Sequence, residues 1–200
     1  MGPASGFQAC GEIGAGRMLE PAQMHEEVIT ALQPKVLKNR RILITAGPTF
    51  EPIDPVRGIT NRSSGKMGYA IARAAREAGA SVTLISGPTA LDTPYHVNRV
   101  DVMTAIEMRD AVMSHISHQD IFISVAAVAD WRVANASDQK IKKNKNGDTP
   151  TLEFTENPDI LASIAALPDP PYCVGFAAES EKLRQHAEEK RRKKGIPLLV

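Results

Sequence analysis

The feature that most constrains this chain is an alternation of short apolar runs with helix-period segments, in units near thirty residues. Arg41–Ala46 (RILITA) is closed by Gly47-Pro48, and Ser81–Ser86 (SVTLIS) is closed by Gly87-Pro88. Each has the length of a buried strand and ends in a turn. Between them Tyr69, Ala70, Ile71, Ala74, Ala75 and Ala78 recur at helical spacing, with Gly79 where a helix commonly ends. The pattern continues through Arg99–Val102, a helix lined by Ala105, Met108, Ala111, Val112 and Ile116, and a strand at Ile121–Val125. A short strand at Thr151–Thr155, a helix opening at Pro158, a strand at Tyr172–Phe176, a charged helix over Glu179–Lys194 and an apolar segment at Ile196–Val200 complete it. Such alternation predicts an α/β fold, a Rossmann-like parallel sheet with helices on both faces. Residues 1–20, Thr49–Ser64 and the polar segment from 126 to 147 read as loops. Pro21 opens a short helix with Met24, Val28 and Leu32 on one face. The last apolar segment reads as a strand without a cover, so the sheet is expected to be truncated at the C-terminus.

Ligands of such sheets bind beyond the carboxyl ends of strands, which selects the loops 47–68, 126–140 and 176–180. The charge pattern agrees with an anionic ligand. Net charge is only +1, but Lys140, Lys142, Lys143 and Lys145, with Lys190, Arg191, Arg192, Lys193 and Lys194, hold nine of the 24 basic residues in two acid-free stretches. The rest carries 15 basic against 23 acidic residues. A mildly acidic body with two concentrated basic segments suits a compact polyanion. A solvated lysine loop and a helix with a basic end give the same pattern. A nucleic-acid module is a third class, supported only by these runs and without an aromatic platform.

Known phosphate motifs fail. The dinucleotide fingerprint requires Gly-x-Gly-x-x-Gly after the first strand, where this chain has Gly47-Pro48-Thr49. The phosphate loop of nucleotide hydrolases requires Ser or Thr after Gly65-Lys66, where Met67 stands. A nicotinamide-binding Rossmann reductase is therefore the alternative reading. Asn61-Arg62-Ser63-Ser64-Gly65-Lys66-Met67-Gly68 leaves backbone N–H groups at a helix entrance, suited either to an anion or to a serine N-cap. Two cysteines, Cys10 and Cys173, make no disulfide framework or zinc pattern. No apolar run approaches the roughly 18 residues of a membrane span, and the first twenty residues do not read as a signal peptide. The expected location is cytoplasmic, with neither membrane nor nucleic acid as partner.

Five segments carry a resemblance: GPTFEPIDPVRGITNRSSGKMG (Gly47–Gly68), AAVADWR (Ala126–Arg132), KIKK (Lys140–Lys143), NPDIL (Asn157–Leu161) and VGFAAE (Val174–Glu179). In this order they resemble the bacterial phosphopantothenate–cysteine ligase, one half of the bifunctional coenzyme A biosynthesis flavoprotein. Pro3–Met18 resembles the end of its partner half, the FMN-dependent phosphopantothenoylcysteine decarboxylase. The resemblance divides the chain into residues 1–38, a decarboxylase tail with a linker helix, and 39–200, an incomplete ligase domain.

The resemblance implies that CTP activates 4'-phosphopantothenate as an acyl-cytidylate, which cysteine then captures, with Mg²⁺ on the triphosphate and protein ligands unassigned. It implies that Asn61 gives oxyanion-type stabilisation and that Arg57 lies near the substrate phosphate across a dimer interface, with Ala127 also at the substrate. It places Lys140 on a flap, as the residue required for activation. Ser124, Val125, Ala126, Asp130, Pro158, Asp159, Ile160, Leu161 and Phe176 are implied around the cytidine nucleotide, and Lys190 and Lys194 on its phosphates. Cys10 matches the decarboxylase proton donor. Trp131 stands where the family often has tyrosine, in a stacking position.

Overall fold

The computed structural model of the chain describes residues 3–8, 10–142, 150–177 and 183–200. Lys143 and Lys145 of the first basic stretch, and Ala178 and Glu179 of the VGFAAE segment, lie outside the described residues. In chain order the elements are β1 (Ala4–Phe7), β2 (Ile13–Arg17), α1 (Pro21–Leu32), β3 (Arg41–Ala46), β4 (Phe50–Pro52) and β5 (Gly58–Thr60). Then come α2 (Lys66–Glu77), β6 (Ser81–Ser86), β7 (Asn98–Asp101), α3 (Ala105–His115), β8 (Ile121–Ser124) and β9 (Trp131–Val133). β10 (Phe154–Glu156), α4 (Ile160–Ala165), β11 (Tyr172–Gly175), α5 (Leu183–Lys194) and β12 (Leu198–Leu199) follow.

Six strands form one parallel sheet in the order β12-β11-β8-β3-β6-β7. The chain builds outward from β3 through β6 to β7, then returns to the other side of β3 with β8, β11 and β12. This is the doubly wound order of Rossmann-like folds, with its reversal between β3 and β8. Alternation along β3 explains why both faces are covered. Leu43 joins Ile85, Met108, Val112, Phe122 and Ile164 under α3 and α4, while Ile42 and Ile44 join Tyr69, Ala72, Val82 and Leu84 under α2. Each fully buried aliphatic side chain of β3 stabilises the sheet by roughly 1.5–3 kcal/mol.

The helices start for different reasons. α3 has a capping box, Thr104 Oγ1 accepting from Glu107 N at 3.1 Å while Glu107 reaches back to the Thr104 N–H. Its first N–H, from Ala105, donates to Glu51 Oε1 at 2.9 Å. Glu51 is 1% exposed, so a buried carboxylate ties β4 to the positive end of α3. α2 begins at Gly65, in the left-handed region with φ of 74°, without a side-chain cap. Ser63 and Ser64 instead accept from Gly65 N and Lys66 N at 3.3 and 3.5 Å, as local turns.

Three segments read as loops contain strands. Residues 1–20 hold the β1–β2 hairpin, Thr49–Ser64 holds the β4–β5 hairpin, and β9 pairs antiparallel with distant β10. These strands have three to five residues, too few for an alternation to register. α1 forms over Pro21–Leu32 as its spacing predicts, with its apolar positions outside the core. It buries no residue, and Val28 and Leu32 are exposed. Polar contacts hold it to α2: Glu26 pairs with Arg76 at 3.0 Å and with Arg73 at 3.5 Å.

Candidate functional site

The reversal point between β3 and β8 is extended beyond the strand ends. Pro48 bridges Ala127 in parallel, Ala127 N donates to Gly47 O at 2.9 Å, and Thr49 N donates to Ala127 O at 3.3 Å. The buried Thr49 hydroxyl accepts from Ala129 N at 3.0 Å. Gly87 allows this closeness, since a Cβ there would lie 1.7 Å from the Pro48 carbonyl oxygen. The 126–130 loop is thus laced to the end of β3 through its backbone.

On one side of that loop lies a cleft of about 540 Å³. Ser124, Ala126 and Asp130 form its first wall, Pro158, Asp159, Ile160 and Leu161 its second, and Phe176, Lys190 and Lys194 its third. Ten of the twelve residues expected around a nucleotide therefore line one concavity. Val125 does not, because strand alternation turns it into the core under α2 while Ser124 and Ala126 face the cleft. Lys140 does not line it either, and Ala127 contributes its backbone to the bridge above. Trp131, expected in a stacking position, lines the cleft as well, and Val128, Ala129, Glu156, Asn157 and Leu199 also line it and were not expected.

The cleft's polar groups are ordered by two residues of NPDIL. Asn157 donates to Ala129 O at 2.8 Å, its own N–H donates to Asp130 O at 2.8 Å, and its Oδ1 accepts from Arg132 at 3.2 Å. It clamps the first wall to the second. Asp159 caps α4, accepting from Ala162 N at 3.0 Å, and receives Lys194 Nζ at 2.7 and 2.9 Å. Burial pushes the Asp159 carboxyl upward, but the Lys194 ammonium and the Ala162 N–H outweigh it and hold it below its ordinary value. Lys190 and Lys194, four residues apart on α5, share the face that meets the cleft. Trp131, the chain's one tryptophan, is 57% exposed at the rim.

A second polar cluster lies at the β4–β5 hairpin. Asp54 is buried and accepts from the N–H groups of Val56 and Arg57, both at 2.9 Å, from Ile141 N at 3.1 Å and from Arg57 Nε at 3.0 Å. The Arg57 guanidinium beside it, opposed by burial and assisted by these N–H groups, holds the Asp54 carboxyl far below the usual carboxylate range. Arg57 Nη2 also pairs with Asp54 and donates to Ile141 O at 2.9 Å. Lys140, exposed, stands beside this anchored residue rather than in the cleft with Lys190 and Lys194.

Asn61 links the two clusters. Its Nδ2 donates to Ala127 O and Val128 O, each at 3.1 Å, on the same loop that walls the cleft. The amide nitrogen thus faces two backbone acceptors, and a donor role toward a substrate requires at least one of those contacts to break. Cys10 is exposed between β1 and β2, its thiol 3.7 Å from Gln8 Oε1. Burial in β11 pushes the Cys173 thiol up, away from reactivity.

Sequence reasoning missed Asn157, although its motif was visible, and Asp54, which resembled one more acid in a proline-rich loop. Among the described residues, no group of three His, Cys, Asp or Glu side chains could hold a metal ion. None of the described helices is long and apolar enough to cross a membrane.

Comparison with known proteins identifies the fold's relatives. Residues 37–200 match the family model described as the DNA/pantothenate metabolism flavoprotein C-terminal domain. The coenzyme A biosynthesis bifunctional protein CoaBC of Vibrio vulnificus strain YJ016 is 55% identical over 199 residues, 99% of this chain and 50% of that protein. The protein of the same name from Escherichia coli K12 is 53% identical over 201 residues, again 99% and 50%. The chain thus spans about half the length of these relatives. A crystal structure of the C-terminal domain of CoaBC superposes with a TM-score of 0.71 at 44% identity, covering 82% of this chain and 76% of that one. The chain belongs to the family of DNA/pantothenate metabolism flavoprotein C-terminal domains.

Proposed function

We propose that this chain carries the phosphopantothenate–cysteine ligase activity of coenzyme A biosynthesis. The observation that carries the reading is the cleft beyond the β3–β8 reversal, where Lys190 and Lys194 face the Ser124–Asp130 wall. Its volume suits a single small ligand rather than a nucleic acid. CTP is proposed to lie there, its phosphates toward the two lysines and its base toward Ala126, Pro158–Leu161 and Phe176. A carboxylate is a poor electrophile, so the 4'-phosphopantothenate carboxylate attacks the α-phosphorus, forming an acyl-cytidylate and releasing pyrophosphate. The cysteine amine then attacks the acyl carbon, forming the amide and releasing CMP.

The first step joins two anions, so charge neutralisation and positioning dominate its catalysis. Lys140, with an ordinary lysine pKa of about 10.4, stays cationic at neutral pH and is assigned to that step. Arg57 is assigned to the substrate phosphate, and Asn61 and Ala127 to the acyl group on the far side of the loop. Mg²⁺ commonly binds through substrate phosphates and only one or two carboxylates, which fits a cleft holding Asp130 and Glu156, with Asp159 bound to Lys194. Bound there it would offset triphosphate charge.

The decarboxylase and its FMN belong to the remaining length of the relatives, and Cys10 is the residue offered to it here. The enzyme is proposed to act in the cytoplasm as a homo-oligomer, a dimer of ligase domains. The nicotinamide reductase reading loses its support, since the family match lies elsewhere and the loop after β3 lacks the glycine fingerprint. Pyrophosphate release by the full-length protein tests the proposal. Release is expected with CTP and 4'-phosphopantothenate, and only weakly with ATP in its place. Tight NADPH binding without any binding of CTP would overturn it.

A further inference from the structure

The geometry points to Asp54 as the residue that positions Lys140, by mooring Ile141 to the β4–β5 hairpin. This inference rests on the proposed role of Lys140 in activation. Residues 134–142 form no helix or strand, so nothing in their own secondary structure fixes where Lys140 stands. Three contacts fix it from the hairpin side. Asp54 accepts the Ile141 N–H at 3.1 Å, Arg57 donates to the Ile141 carbonyl at 2.9 Å, and Ser137 N donates to Ile53 O at 3.0 Å. Both backbone groups of the residue next to Lys140 are therefore held by side chains of a single turn.

Asp54 is the centre of that arrangement. The same carboxylate accepts the Val56 and Arg57 N–H groups that shape the turn and the guanidinium that grips Ile141. Its side chain is fully buried, which strengthens each charge-assisted bond, and the Arg57 guanidinium keeps it ionised. Arg57, half-exposed, keeps part of its guanidinium open to a ligand. A neutral side chain at position 54 removes the charge that organises both Arg57 and Ile141. Glu51 supports the hairpin from beneath, on the N-terminus of α3. The hairpin is thus fixed to the core at one end and holds the Lys140 segment at the other.

The test compares Asp54→Asn and Ile141→Pro in the full-length protein. Ile141→Pro removes the moored N–H without touching the Asp54 carboxylate, while also fixing φ at 141 and restricting Lys140, and it keeps the question open should Asp54→Asn fail to fold. Hydrogen exchange of the 137–142 peptide is expected to quicken roughly tenfold in both variants, as loss of a charge-assisted hydrogen bond implies. Pyrophosphate release at saturating CTP should fall about tenfold by the same reasoning, with the KM for CTP unchanged. Exchange that stays at the wild-type rate, or quickened exchange with full kcat, would overturn the inference. Exchange needs no catalysis, whereas failure of the Lys140 assignment itself would show as full activity in Lys140→Gln.

Discussion

The lysines of the cleft and the lysine of the 134–142 segment are held in contrasting ways. Lys190 and Lys194 ride on a twelve-residue helix, and Lys194 is fixed further by Asp159 at the start of α4. α4 buries Ile160, Leu161 and Ile164 in the main core, and α5, which buries none of its described residues, is tied to it through Asp159 and leads into buried Ile196. Lys140 stands on irregular chain, and its position follows from one buried carboxylate, Asp54, reaching Ile141 from a surface hairpin. The first arrangement suits binding, which gains from preformed geometry. The second makes the placement of a catalytic group depend on a few polar contacts. The contrast implies that damage to the cleft raises KM and damage to the mooring lowers kcat.

The largest expected effect separates the two at once. Lys140→Gln should lower phosphopantothenate-dependent pyrophosphate release about 10³-fold, as removal of a preorganised charge does, while CTP binding in an equilibrium titration changes little. Lys194→Gln should do the reverse. Loss of a charge-assisted contact predicts CTP affinity weaker by roughly 10- to 100-fold, with a smaller change in the rate at saturation. Equal losses of affinity in the two variants would erase the distinction.

A stability effect comes next. Asn157→Ala unclamps the cleft walls and strands Ala129 O, at a cost of about 1–3 kcal/mol. Calorimetry should show a melting temperature lower by several degrees for a domain of this size. The smallest effect is in acid. Both Asp54 and Asp159 have lowered folded-state values, so each contributes stability above the ordinary carboxylate range and loses it as pH falls through its folded value. Asp54 is held much lower, so an NMR carboxyl titration should protonate Asp159 first. The opposite order would show that the mooring is the weaker of the two.

The sheet was legible because its strands announce themselves. RILITA and SVTLIS are buried on both faces and end in Gly-Pro, a signal carried within six residues. The β4–β5 hairpin was not, because three-residue strands carry no period and their pairing depends on residues far away in sequence. The site divided along the same line. Most residues of the cleft lie at strand ends and at one helix start, where the fold class itself says ligands bind, and Lys190 and Lys194 stood out as a basic run. Asp54 and Asn157 act through hydrogen bonds to Ile141 and Ala129, 87 and 28 positions away, and spacing alone shows neither contact. Val125 fell outside the cleft for a reason the sequence did contain, the alternation of a strand leaving the sheet.

The proposed ligase reaction requires cationic groups from both clusters to meet one triphosphate. Amine-reactive labelling of the full-length protein, read lysine by lysine by mass spectrometry with and without CTP, Mg²⁺ and 4'-phosphopantothenate, tests it most directly. Protection of Lys140 together with Lys190 and Lys194 is the predicted result. Protection of the α5 lysines with Lys140 labelled as fast as in the free protein would contradict it.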